Sequence, residues 1–90
     1  MRLQLSTKIV EPMSPAQCRA ARAFLEITQS QLAHAAALGL STVVDLEKER
    51  RQVSEEAVEA IQTAFERAGV EFIEESGWQG LRVRKHGKRK

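Results

Sequence analysis

The side chains able to do chemistry are few and scattered. The chain has one cysteine, Cys18, and two histidines, His34 and His86, which stand far apart with no second ligand near either. A structural zinc site needs four nitrogen or sulfur donors, so none is expected. No serine or cysteine forms a plausible constellation with a histidine and an acid. No glycine-rich loop follows a strand to cradle a phosphate. The acidic doublets Glu55-Glu56 and Glu74-Glu75 are accounted for by a helix start and a turn. An enzyme is therefore not expected, nor a cofactor or metal. Charge placement is more informative. Residues 1–76 hold eight basic and twelve acidic side chains, while 77–90 hold Arg82, Arg84, Lys85, Lys88, Arg89 and Lys90 and no acid. A basic end on an acidic body points either to an anionic partner such as nucleic acid or to a solubilising tail.

Ninety residues amount to one small domain with a single modest core. With 42% apolar and 29% charged residues and a net charge of +2, the composition suits a globular chain and argues against wholesale disorder. No apolar run approaches the roughly 18 residues of a membrane span, so no membrane partner is expected. A lone cysteine cannot form an internal disulfide, and no signal-peptide pattern is seen. A cytoplasmic location follows as an expectation.

The elements that must position any functional group read mainly as helices. Residues 1–13 are expected to be an N-terminal extension, 14–69 a four-helix domain, 70–85 a β-hairpin and 86–90 a basic tail. Ser14-Pro15-Ala16-Gln17 has the cap, first-turn proline and third-position glutamine of a helix start. Cys18, Ala21, Phe24 and Leu25 follow at helical spacing as its apolar face, and the helix ends near Ile27. Thr28-Gln29-Ser30-Gln31 repeats the capping pattern for a second helix that turns Leu32, Ala33 and Ala36 inward. The chain turns around Leu38-Gly39, and Leu40, Val43 and Leu46 mark a third helix, which ends in the charged run Glu47–Arg51. Ser54 caps a fourth, with Val58, Ile61 and Phe65 as its core stripe and Gly69 as its stop. Beyond Gly69 the period changes to two. Val70 and Phe72, then Leu81 and Val83, read as hairpin strands separated by Ser76-Gly77 and Gly80. Trp78, in that turn, is expected to pack on the helices.

Two short helices joined by a tight turn have a known use, in which one braces the other in the major groove of DNA. The block Thr28-Gln29-Ser30-Gln31-Leu32-Ala33, with Ser41-Thr42-Val43, Asp45-Leu46-Glu47 and Arg50-Arg51, resembles the helix-turn-helix of the phage repressor and Cro-like (XRE) family. The resemblance spans roughly Ser14 to Phe65. It implies a small residue, Ala33, where the two helices cross, buried Val43 and Leu46 in the recognition helix, and a phosphate contact from Gln29. The chain departs from the family at two places: Ala37 stands at the usual turn glycine and Gly39 at the usual Ser or Thr cap. A rival register would use Gly39 as the turn and Ser41 as the cap. The first is preferred because it keeps Ala33, Val43 and Leu46 together, although alanine enters the left-handed region at a cost of roughly 1–2 kcal/mol.

On that register Leu40, Ser41, Val44 and Asp45 face bases and Thr42 faces the backbone, while Lys48, Arg50 and Arg51 supply backbone or minor-groove contacts. The expected DNA-facing set is Thr28, Gln29, Gly39, Leu40, Ser41, Thr42, Val44, Asp45, Lys48, Arg50 and Arg51. The base-facing members include no Arg, Asn or Gln, so direct readout is expected to be lean. Asp45 either accepts from a cytosine amino group or pairs with a base such as Lys48 or Arg22. The expected function is a homodimeric transcriptional regulator, more readily a repressor than an activator, bound to double-stranded DNA. The rival is an antitoxin- or antiactivator-type module on the same fold, with a protein partner on its helical face.

Overall fold

Residues 13–85 are described by the computed structural model; Met1–Pro12 and the basic tail His86–Lys90 lie outside the described residues. Within them, α1 (Pro15–Leu25), α2 (Gln29–Ala36), α3 (Leu40–Lys48) and α4 (Glu55–Arg67) precede strands β1 (Val70–Glu75) and β2 (Trp78–Val83). The described chain is mostly helical with a C-terminal hairpin, as expected. The local signals explain the boundaries. Ser14 and Thr28 each accept from the backbone N–H three residues on, and Gln17 and Gln31 reach back to the cap N–H, closing two capping boxes. Ser54 caps α4, with Glu55 and Glu56 against the positive end of its dipole. At their C-termini α1, α2 and α3 close alike. Glu26, Ala37 and Glu49 are left-handed (φ 60°, 59° and 55°), and the N–H groups of Ile27, Leu38 and Arg50 reach back to the carbonyls of Arg22, Ala33 and Asp45. The first helix thus ends at Leu25, two residues before Ile27.

The core collects Cys18, Ala21, Leu32, Ala33, Val43, Leu46, Ala57, Ile61, Phe65 and Val70, with Val58 half-buried against it. Met13, assigned to the extension, is also buried there. Phe24, expected on the apolar face of α1, is 67% exposed. It continues the line of Gln17 two turns further on, beyond the hairpin that covers Gln17. The hairpin packs on α1 through β2 and on α4 through β1. Phe72 meets Phe65 edge to face with ring centroids 5.8 Å apart. Gln17, 6% exposed, spends its carbonyl oxygen on the α1 cap and donates its amide to Gly80 O at 2.7 Å and Ile73 O at 3.4 Å. One side chain thereby ties the first helix to both strands.

The strands are longer than their sequence pattern suggested. Ser76 and Gly77, both with positive φ (49° and 84°), make a two-residue turn whose twist suits the flanking strands, and pairing runs up to it at Glu75–Trp78. Gly80 is therefore a strand residue opposite Ile73, not part of the turn. Cross-strand partners share a face. Val70–Val83 and Phe72–Leu81 face the helices, which puts Glu71–Arg82, Ile73–Gly80 and Glu75–Trp78 on the outer face. Trp78 is 76% exposed there, not packed on the helices as expected, because strand parity turns it outward.

Candidate nucleic-acid interface

The side chain that fixes α3 is one that sequence reasoning passed over. Glu47 is 3% exposed, on the same side of α3 as Val43 and Leu46. Arg22 of α1 grips its carboxylate with two parallel bonds, Nε to Oε2 and Nη2 to Oε1, both 2.9 Å. Gln29 of α2 donates to Oε1 at 3.0 Å, and the Cys18 thiol donates to Oε2 at 3.3 Å. Arg19 donates to the backbone carbonyl of Glu47, and a third Arg22 nitrogen donates to Ile27 O at 3.2 Å. Burial opposes ionisation of Glu47, but the hydrogen bonds from Arg22, Gln29 and Cys18 outweigh it and hold its carboxyl below the ordinary range. The same bond raises Arg22, whereas burial, reinforced by the adjacent Glu47, pushes the Cys18 thiol up and keeps it neutral. α3 is thus held in rotation about its axis by side chains of α1 and α2.

That rotation decides what α3 shows outside. Ser41, Asp45 and Lys48, at spacings of four and three, fall opposite Val43, Leu46 and Glu47. Ser41 and Lys48 are exposed, Val44 and Thr42 half-buried at the flanks, and Leu40 46% exposed at the N-terminal end. Ala37 is the left-handed turn residue and Gly39 the extended residue before α3, so the favoured register holds. No side chain caps α3; the carbonyl of Gly39 accepts from Thr42 N–H at 3.1 Å.

The expected contact residues are not all free. The Gln29 amide gives one N–H to Glu47, so a phosphate contact from that side chain has its second N–H to use. The Thr28 hydroxyl oxygen accepts from Gln31 N–H at the α2 cap, which leaves its own O–H to donate. Asp45 pairs with Arg51, Nε to Oδ2 at 2.8 Å, and not with Lys48 or Arg22, because Arg22 is committed to Glu47 and the turn at Glu49 folds the chain back along α3. Lys48 and Arg50 are exposed at the end of the helix. Arg82 and Arg84 sit on the hairpin, which packs on α1 and α4, and Arg82 pairs with Glu71. The signal for Glu47 was present: Arg22 and Glu47 each fall on the inward side of a helix, one turn from Cys18 and Val43, and opposite charges at two inward positions imply each other.

Among the described residues, no group of three or more His, Cys, Asp or Glu is arranged to hold a metal ion, and no helix is long and apolar enough to cross a membrane. No family model matches the chain, and no curated protein matches it.

Proposed function

We propose that the protein is a sequence-specific DNA-binding regulator that lays α3 in the major groove, braced by α2, and represses by occupying its site. The observation that carries this reading is the two-sidedness of α3. Its inner side is locked by the Arg22–Glu47–Gln29 cluster, while its outer side offers Ser41, Val44, Asp45 and Lys48, with Arg50 and Arg51 at its end. A helix held this firmly, with Ser41 and Lys48 exposed on its outer side, is what major-groove insertion requires. It is also what the resemblance to phage repressor and Cro-like proteins implies. A palindromic site needs two such helices about 34 Å apart, so the acting species is a homodimer. The outer face of the hairpin, with exposed Trp78 beside Ile73 and Gly80, is the candidate contact between copies.

A second reading, a protein-interaction module of antitoxin or antiactivator type, draws on the same exposed Trp78 and Phe24 and on the engagement of Gln29. Gel-shift titration of the full chain against random and genomic duplexes at two salt concentrations separates the two. The DNA reading expects salt-sensitive binding with a preferred site. Absence of any duplex binding at low salt favours the protein partner.

A further inference from the structure

The centre of the outer face of α3 is occupied by an acid that is mostly hidden. Asp45 lies opposite the buried stripe, yet its side chain is only 20% exposed, because Arg51 folds back from beyond the helix and covers it. The guanidinium meets the carboxylate through Nε, at 2.8 Å, and the Arg51 side chain remains 52% exposed. An arginine held by its Nε still has the donors of both Nη groups to spend. Those two nitrogens form the fork that matches the paired O6 and N7 acceptors of guanine in the major groove. The surface at Asp45 is thus a neutral pair carrying a forked donor, not a bare carboxylate.

We propose that Asp45 and Arg51 form one reading unit, in which Asp45 is a positioning residue and Arg51 contacts a guanine edge. The inference rests on the DNA-binding reading above. Asp45 then acts through Arg51, not on a cytosine amino group. Its charge offsets that of Arg51, so a phosphate attracts the pair less than it attracts a lone arginine. Holding the fork in place before DNA arrives leaves less side-chain freedom to be lost on contact.

The test uses the full chain. Duplexes enriched from a random pool by the wild type are expected to contain a guanine at a fixed position in each half-site, and replacing that G·C by A·T is expected to weaken binding about 10- to 100-fold. Arg51→Ala and Arg51→Lys are expected to lose that discrimination. Asp45→Asn is expected to lose it too, while binding unrelated duplex as tightly as the wild type or more so, since an acid has been removed. Arg51 is half-exposed and Asp45→Asn keeps the size of the side chain and an acceptor oxygen, so thermal unfolding of all three variants is expected to stay close to wild type. Retention of the guanine preference by Asp45→Asn overturns the positioning role. Equal weakening of every duplex by Arg51→Ala makes Arg51 a phosphate contact and overturns the unit. If the wild type binds with a preferred site that lacks a fixed guanine, the unit falls and the DNA reading stands. If it binds no duplex, the DNA reading itself falls and this inference with it.

Discussion

A carboxylate as buried as Glu47 has lost most of its hydration, and it keeps its charge because Arg22, Gln29 and Cys18 all donate to it. Removing one partner of such a pair costs more than the pair itself contributes, because the other charge is left buried. Arg22→Ala is therefore expected to destabilise the fold by about 3 kcal/mol at neutral pH, read from urea unfolding. The pH dependence has a definite sign. The carboxyl of Glu47 is held below its ordinary value of 4.5 in the folded chain, so its contribution is complete above about that pH and is lost as pH falls through the lowered value. In Arg22→Ala the chief cause of that depression is gone, and protonation relieves the orphaned charge. The stability gap between wild type and Arg22→Ala is thus expected to narrow on acidification to about pH 3. A gap that stays constant over that range counts against an ionised Glu47 as the cause.

Between α2 and α3 the chain must reverse within Ala37, Leu38 and Gly39, and it does so with alanine in the left-handed region at φ 59°, ψ 42°. The Cβ of alanine is strained there and that of glycine is absent, so Ala37→Gly is expected to stabilise the protein by about 1 kcal/mol, offset in part by the extra freedom of an unfolded glycine. A rise in the urea midpoint at unchanged m-value checks this, and a fall counts against Ala37 as the strained residue. This turn was legible in sequence because keeping Ala33, Val43 and Leu46 in one core leaves a single register open. The capping boxes at Ser14 and Thr28 were legible for a simpler reason: the bonding groups stand three residues apart. Contacts between elements were harder to see. Arg22 meets Glu47 across 25 residues, and only their matching inward positions on two helices hint at it, while Arg51 reaches Asp45 only because Glu49 turns the chain back, which no local pattern encodes. The outward face of Trp78 was lost to a parity error. Including Gly80 in the turn hides the fact that Ser76 and Gly77 alone complete it, and the face of Trp78 follows from that count.

At the scale of the whole molecule the positive charges fall into two groups, to which the proposed function gives different tasks. The outer face of α3 presents Lys48, Arg50 and the Arg51–Asp45 pair, while Arg82, Arg84 and Lys85 lie on and just past the hairpin, which packs on α1 and α4. Three more positive charges, Lys88, Arg89 and Lys90, follow in the sequence outside the described residues. Each Lys or Arg that meets a phosphate releases a condensed counterion whatever the base sequence, so on the proposed function this basic end is expected to strengthen cognate and random duplexes alike. On the proposed function, discrimination is expected to rest instead on Ser41 and on the pair of Asp45 and Arg51. Deleting His86–Lys90 removes three of the positive charges and is expected to flatten the slope of log affinity against log salt by up to about 3, at roughly 0.9 per phosphate. Both cognate and random duplexes should weaken by similar factors, leaving their ratio unchanged at fixed salt. Filter binding of the full chain and the truncated chain, each measured at several salt concentrations on both duplexes, reads the slope and the ratio together. A deletion that abolishes the ratio while leaving the slope intact would make the basic end a reader of sequence, and the division of labour between helix and tail would have to be reversed.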